Sequence, residues 1–233
     1  MSDLSALLTS ILPLALGAAV SPTVLIGIIL ILSITKRPKL NGVAFYIGSI
    51  ILLLIVVALG VFVSKGAVIA SGTMPSTTSA YFDIVLAVLL ILLGIRRTRK
   101  EDKGPDKDKF KEDASPSAVK GFIKSMGFGF GLFVINFTTT ILVFAAGKDI
   151  GLSPAPLFDK LIVIIALTII TLLVVEIPLL IYILMPKTAN KALAPVNIWM
   201  QKNGKYLMAA IFFVFGIYLL VKGAGVLFFG SAY

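Results

Sequence analysis

The order of apolar and polar positions along the chain divides it into six long apolar segments. A helix that crosses a membrane needs roughly 20 predominantly apolar residues in succession, and each segment is near or above that length. The pattern therefore predicts an all-α membrane protein with six transmembrane helices. The predicted helices span residues 5–34, 41–64, 78–96, 120–147, 157–185 and 204–228.

Two of these segments are interrupted in the middle by short polar stretches, at residues 21–23 and 136–140. Polar groups and a helix-breaking proline at bilayer depth are costly unless they line a cavity or pack inside protein. Paired breaks in two halves of a chain indicate a transporter binding site, and hydrogen bonding between helices is the alternative role. The candidate substrate-binding residues are Ser21, Pro22, Thr23, Asn136, Thr138 and Thr139.

Composition supports a membrane protein and limits the available chemistry. Of the 233 residues, 58% are hydrophobic and 14% are charged, and the sequence contains no cysteine and no histidine. Soluble domains carry about 25% charged residues. Without cysteine and histidine, disulfides, thiol redox chemistry and soft-ligand metal sites are excluded, and a nucleophilic or acid–base set is hard to assemble. We therefore expect no enzyme activity, no metal and no cofactor.

The basic residues indicate how the helices are oriented. Seventeen of the 21 basic residues lie in or beside the connections that follow the first, third and fifth helices, and the positive-inside rule places such connections in the cytoplasm. We expect a multi-pass protein of the plasma membrane with both termini outside and a cytoplasmic linker over 98–119. The formal net charge of +10 fits basic loops beside anionic membrane lipids, and we expect no nucleic-acid binding. The four basic residues left for the opposite side are Lys65, Lys148, Lys160 and Lys222.

The spacing of the breaks indicates an internal duplication. Ser21 and Asn136 are 115 positions apart, close to half the chain, and Gly94 and Gly216 occupy similar late positions in the third and sixth helices. Because the linker is expected to be cytoplasmic, the two halves enter the membrane from opposite sides. We therefore predict two inverted three-helix repeats, over 1–97 and 120–233, joined by the charged linker 98–119.

One acidic residue lies deep in an apolar segment. Glu176 is expected to face the bundle, to be protonated or to have a partner, because a carboxylate near the bilayer centre costs about 2.5–3.5 kcal/mol on insertion scales. It is the candidate for proton coupling; a structural carboxyl bonded to a neighbouring helix is the alternative. Pro22 and Pro178 are the candidate positions of helix bending. Asp83, near the end of the third helix, is expected in the headgroup region.

Small residues spaced four apart predict close helix contacts. Gly127 and Gly131 form one such pair in the fourth helix, and Gly17 and Ser21 form another in the first. We expect these pairs to bring the two interrupted helices together.

The sequence resembles the LysE superfamily of six-helix exporters, and within it the GAP branch, which includes the sulfolipid-addressing proteins. The resemblance rests on the sequences at 14–22, 36–38 and 41–48. It implies an inverted-repeat exporter, with amino acids, ions or small polar solutes as superfamily substrates and glycolipids or their precursors as substrates of the GAP branch. It also implies a homodimer, and roles for Ser21, Pro22 and Asn136. The chain departs from the pattern at Phe137, where many relatives have proline.

Taken together, these features predict an integral membrane transporter. We expect a secondary exporter of a small polar solute or of a lipid or glycolipid precursor, working by alternating access with proton coupling through Glu176. The alternative is a non-transporting membrane scaffold or accessory factor for lipid export, which would use the basic linker to recruit a partner.

Overall fold

The computed structural model describes residues 3–71, 76–99 and 117–229, and its regular structure in these ranges consists of eight α-helices. Helices α1 and α2 form the first predicted segment, and α5 and α6 form the fourth. The other predicted segments are single helices. The helices are α1 Asp3–Ala19, α2 Pro22–Ile34, α3 Pro38–Ser71, α4 Ser76–Arg99, α5 Ala118–Ile135, α6 Phe137–Leu152, α7 Leu157–Leu184 and α8 Ala189–Phe229.

The prediction of an all-helical membrane protein is confirmed. In the described ranges five helices are long and apolar enough to cross a membrane, and α1 and α2 qualify together as a sixth span. The largest differences from the predicted boundaries are at the end of α3, which extends to Ser71 rather than 64, and at the start of α8, which begins at Ala189 rather than near 204. Alanine, leucine, lysine and glutamine favour helix, and they extend α8 through its polar start despite Pro195. The linker 98–119 lies mostly outside the described residues, at 100–116.

Helix α3 packs closely along α5 and α6. A Cβ on Gly129 would overlap the carbonyl oxygen of Phe45, and a Cβ on Gly60 would lie 2.5 Å from the carbonyl oxygen of Phe144. Residues farther along α3 therefore meet residues farther along α5 and α6, so the helices run in the same direction. Only glycine allows backbones this close.

The glycine spacing predicted contacts on the wrong face of α5. Cβ atoms on Gly127 and Gly131 would have no heavy atom within 4 Å, apart from their own helix, whereas Gly129 between them meets α3. Gly17 meets the ring of Phe215 on α8 rather than the other interrupted helix. The close contacts of these glycines are thus made with α3 and α8.

Helices α4 and α8 form an antiparallel pair. A Cβ on Gly94 would lie 3.0 Å from Cβ of Phe212, and one on Gly223 would lie 2.8 Å from the carbonyl oxygen of Ala80. Gly216 meets Ile91 between these two points. Three glycines therefore hold the two helices close along much of their length.

The outer surface carries many large apolar side chains. Exposed examples are Phe62, Tyr81, Val85, Leu157, Ile165 and Phe228. So large an apolar surface is unusual for a soluble monomer and suits contact with lipid tails. The buried side chains form a core between the helices to which all eight contribute.

Candidate functional site

The first break separates α1 from α2. Ser21 has extended backbone angles (φ −135°, ψ 99°), and its Oγ accepts a hydrogen bond of 3.3 Å from the backbone N–H of Val24. Pro22 follows as the first residue of α2, where its missing N–H costs nothing. Because proline also disfavours helical angles in the residue before it, the chain turns here, and the helix axes differ by 57°.

The second break separates α5 from α6 at Asn136. The carbonyl oxygen of Phe133 accepts hydrogen bonds from the backbone N–H of Asn136 (3.2 Å) and from the hydroxyl of Thr140 (2.9 Å). Side-chain groups thus satisfy backbone groups that the helix leaves open. The helix is interrupted here without a proline, and Phe137 is the first residue of α6.

The two breaks meet in the interior of the protein. Nδ2 of Asn136 donates a hydrogen bond of 2.7 Å to Oγ of Ser21 and a second of 2.8 Å to Oγ1 of Thr139. The hydroxyl of Thr139 donates in turn to the carbonyl oxygen of Ala18 at 3.0 Å. All of these side chains are buried. The end of α1 is therefore joined to the start of α6 by a continuous hydrogen-bonded chain, which we call the break junction (Ala18, Ser21, Asn136 and Thr139).

The other candidate residues of the breaks lie next to this junction in sequence. Pro22 is buried and packs against α8, where a Cβ on Gly204 would lie 3.0 Å from Cβ of Pro22. Thr23 is half-buried. The Oγ1 atom of Thr138 is buried without a hydrogen-bond partner among the described residues, and the same holds for Thr171 on α7. These two hydroxyls are free to bind another polar group.

Glu176 has a partner on a neighbouring helix. The hydroxyl of Tyr46 on α3 donates a hydrogen bond of 2.7 Å to Oε1 of Glu176, and the carboxyl group is half-buried. Pro178 is buried two residues later, and α7 continues through it to Leu184. The expectation of a bundle-facing carboxyl with a partner agrees with this geometry, and its role in proton coupling stays a prediction.

The sequence interpretation missed a buried group of four charged side chains. Nζ of Lys148 on α6 lies 2.5 Å from Oδ1 of Asp83 on α4 and 3.5 Å from Oδ1 of Asp149. Lys222 on α8 forms an ion pair with Asp149 and lies 3.9 Å from Oδ2 of Asp83. We call Asp83, Lys148, Asp149 and Lys222 the charge network.

The structure thus corrects the expected position of Asp83, which is buried in the protein rather than exposed to headgroups. Lys148 and Lys222, which the sequence analysis only assigned to one side of the membrane, are paired with acidic residues within the helices. The adjacent Lys148 and Asp149 in an apolar segment were the available sequence signal, since charges at such positions require partners.

The polar groups occupy three levels along the bundle. Along α5 and α6, Gly129 meets α3 beside Tyr46. At 1.5 Å per residue, Asn136 lies about 10 Å farther along the chain direction, and Lys148 lies about 18 Å beyond Asn136. The break junction therefore lies between the Tyr46–Glu176 pair and the charge network.

Comparison with known proteins identifies the family. The family model described as Sap, sulfolipid-1-addressing protein, matches residues 11–225, so the chain belongs to this family. A peptidoglycolipid exporter, Gap, from Mycolicibacterium smegmatis (strain ATCC 700084 / mc(2)155) is 24% identical over 273 residues, covering 94% of this chain and 99% of that protein. No solved structure gives a significant match.

Proposed function

We propose that this protein is a plasma-membrane exporter that moves a glycolipid or glycolipid precursor by alternating access. The observation that carries the proposal is the break junction. Two interrupted helices from the two halves of the chain meet there through buried polar groups, at the middle of three polar levels. Interrupted helices that meet between two halves are where secondary transporters bind their substrates.

The helix contacts support an inverted repeat of 1–97 and 120–233. If the first, second and third segments are exchanged with the fourth, fifth and sixth, each contact between segments corresponds to another contact that the structure also contains. The first segment contacts the fourth, the third contacts the sixth, and the contact of α3 with α5 and α6 has its counterpart in that of α7 with α1 and α2. In this arrangement both termini lie outside and the linker 98–119 is cytoplasmic. We also propose that the protein forms a homodimer, because the family resemblance implies one.

The substrate class follows from the family and from the chemistry of the interior. The related exporter Gap is named for a peptidoglycolipid and the family for a sulfolipid. Such molecules combine apolar chains with hydroxyl-rich headgroups. The apolar outer surface suits the chains, and the unpartnered hydroxyls of Thr138 and Thr171 suit a headgroup, since a buried polar group without a partner costs about 1–3 kcal/mol.

The break junction is closed in this structure. Ser21, Asn136 and Thr139 satisfy one another, so a substrate headgroup must replace these hydrogen bonds with its own. The exchange of similar hydrogen bonds costs little net free energy. Residues 21–23, 136, 138 and 139 are therefore proposed as the substrate-binding set, with Pro22 as the fixed bend beside it. Pro178 is the proposed bend of α7.

Proton coupling is assigned to Glu176. Its carboxyl group lies at the level of Tyr46, on one side of the break junction, and can exchange a proton while the tyrosine hydroxyl holds its position. No ATP-binding motif occurs in the sequence, so the energy is proposed to come from an ion gradient.

The experiment measures lipid movement and solute efflux side by side. The purified protein is reconstituted into liposomes that contain a fluorescent glucosylceramide, and dithionite quenching reports which leaflet holds the lipid. Efflux of radioactive lysine from the same vesicles tests a small polar substrate. We expect accelerated, pH-gradient-dependent movement of the lipid, abolished by Asn136→Ala and retained in Thr9→Val, which removes an exposed hydroxyl that bonds within α1.

Each result has a distinct meaning. Efflux of lysine without lipid movement would mean that the protein exports a small polar solute rather than a lipid. Movement of neither probe, with correctly folded protein, would contradict a transporter of these substrates and would favour an accessory role. Equal activity of Asn136→Ala and Thr9→Val would remove the break junction from the transport mechanism.

A further inference from the structure

The charges of the charge network balance one another, and its side chains are mostly buried. The ammonium group of Lys148 donates to Oδ1 of Asp83 at 2.5 Å and to Oγ and O of Ser79 at 2.8 and 3.3 Å. Two carboxylates and two ammonium groups make the unit neutral. The side chains of Asp83 and Lys148 are 2% and 1% exposed, whereas those of Asp149 and Lys222 are 12% and 16% exposed. The network thus extends from the buried pair Asp83 and Lys148 to the pair Asp149 and Lys222, which is partly accessible to solvent.

Holding α4 to α8 does not account for this network. Helices α4 and α8 are already in close contact through Gly94, Gly216 and Gly223, and a buried ion pair is often less stable than apolar side chains of similar volume. Charged residues inside a membrane protein are costly and usually mark ion or proton pathways. The arrangement is therefore better suited to a change of charge than to static packing.

Helix α6 connects the network to the break junction. It begins at Phe137, directly after Asn136, and ends at Leu152, one turn beyond Lys148 and Asp149. A rigid helix that is interrupted at one end can pivot there. Close glycine contacts at Gly147 and Gly151 keep its other end against α3, and the two lysine–aspartate pairs join that end to α4 and α8. The state of these pairs therefore sets the distance of α6, together with α3, from α4.

We propose that the charge network is a proton-operated gate, which opens when one proton neutralises Asp83 and breaks the ion pair that holds the end of α6 to α4. This inference rests on the proposed transport function and adds a second protonation site on the opposite side of the break junction from Glu176.

The proton step changes one bond. A proton from water, arriving past Asp149 and Lys222, adds to a carboxylate oxygen of Asp83, and the charge of the network changes from zero to +1. The ammonium of Lys148 keeps its bonds to Ser79 and its contact of 3.5 Å with Asp149 but loses its ionic partner on α4. When the proton leaves Asp83 the ion pair forms again and α6 returns.

The groups that face Asp83 come from three helices. Ser79 lies one turn away on α4, Lys148 and Asp149 are on α6, and Lys222 is on α8, with Tyr218 as a further titratable neighbour of Lys222. From α3, Ser64 approaches the end of α6 beside Gly151 and is not ionisable in the accessible pH range. Among the side chains that the structure describes, these are the groups to which we assign a pH-dependent movement of α6.

The test measures distances between helices in the absence of substrate. Because the chain contains no cysteine, nitroxide labels attach only to introduced cysteines, and electron–electron double resonance in nanodiscs gives their separation. One pair is placed at Val85 on α4 and Leu152 on α6. The reference pair is placed at Val85 and Val221, on the α4 and α8 helices that glycines hold together. Val85 and Val221 are exposed at the lipid-facing surface.

We expect the α4–α6 distance to gain a longer component, several-fold more populated, as the pH falls from about 8 to about 5, a range over which buried carboxyl groups titrate. The α4–α8 distance should stay constant. Asp83→Asn should show the longer distance at both pH values. The double variant Asp83→Leu with Lys148→Met, which replaces the inner pair by apolar side chains, should show the shorter distance at both.

The reference pair confirms that each variant is assembled. A wild-type α4–α6 distance that does not change with pH would overturn the gate, as would a wild-type pH response in either variant. Transport without a pH-dependent distance overturns the gate alone. A pH-dependent distance without transport of either probe overturns the proposed function alone.

Discussion

The side-chain amide of Asn136 donates a 2.7 Å hydrogen bond to the hydroxyl oxygen of Ser21, which lies 115 positions earlier in the chain. The two residues are the polar centres of two separate helix breaks. Their contact joins the first and fourth apolar segments at the point where each is interrupted. Together with the bond to Thr139, it occupies both N–H groups of the Asn136 side chain, so a substrate that accepts from this amide must open one of the two contacts.

The contact between Ser21 and Asn136 should be measurable as a coupling free energy. In a double-mutant cycle of Ser21→Ala and Asn136→Ala, we expect a coupling of about 0.6 kcal/mol, the average for hydrogen bonds between membrane helices. Thermal unfolding in detergent, followed by tryptophan fluorescence of Trp199, gives the stabilities. Additive effects would mean that the bond contributes nothing to the folded state.

Asn136→Ala should be the more costly single change. It removes the donor to both Ser21 and Thr139, and buried groups that lose their partners cost about 1–3 kcal/mol each. Ser21→Ala removes one acceptor and the cap of α2, so its cost should be near 1 kcal/mol. The same unfolding measurements rank the two variants, and the reverse order would contradict the observed bonding pattern.

Gly129 and Gly127 make a matched pair for testing helix packing. Gly129→Ala places a methyl group against the carbonyl oxygen of Phe45 and should lower the melting temperature clearly. Gly127→Ala meets no atom within 4 Å and should be neutral or stabilising by about 0.5–1 kcal/mol, because alanine is the better helix former. Equal destabilisation by both changes would contradict the α3–α5 contact.

Glu176→Gln tests proton coupling. Glutamine keeps the size of the side chain and an oxygen for the hydroxyl of Tyr46, but it cannot titrate. We expect glycolipid movement in liposomes to lose its response to a pH gradient. Tyr46→Phe removes the hydrogen bond and keeps the carboxyl group, so transport should stay pH-dependent with a displaced profile. An unchanged pH response in Glu176→Gln would leave Glu176 with a structural role.

Deletion of residues 101–115 separates the transporter from the accessory factor. The proposed pathway lies within the helices, so the shortened protein should move the fluorescent lipid in liposomes as the full chain does. Lipid export in cells is compared in parallel. Loss of export in cells together with intact movement in liposomes would show that the linker recruits a partner that export requires.

The apolar pattern predicted most of the fold because segment length and spacing depend on local sequence. The six segments and the positions of both breaks follow from runs of apolar residues and from the polar residues at 21–23 and 136–140. The contact between the breaks was consistent with their half-chain spacing. The partner of Glu176 was not predictable, since Tyr46 lies 130 positions away and carries no sequence signal of its own.

The interactions that were missed depend on helix rotation and on which helices are neighbours. Gly127 and Gly131 fitted a contact motif, yet the rotation of α5 places Gly129 against α3 instead. Asp83 was interpreted as an interfacial residue because its partners, Lys148 and Lys222, are brought to it by the packing of α4 with α6 and α8. Sequence alone did not show that these charges would be buried together.

The length of α8 has a consequence for the shape of the protein at the membrane surface. Its 41 residues extend about 60 Å at 1.5 Å per residue, whereas the hydrocarbon layer is about 30 Å thick and the whole bilayer about 45 Å. Trp199 is exposed, and tryptophan favours the boundary between lipid and water. The turns of α8 before Trp199 therefore extend past the boundary between lipid and water, and the burial of Ala189 and Leu193 keeps them packed on the other helices rather than free.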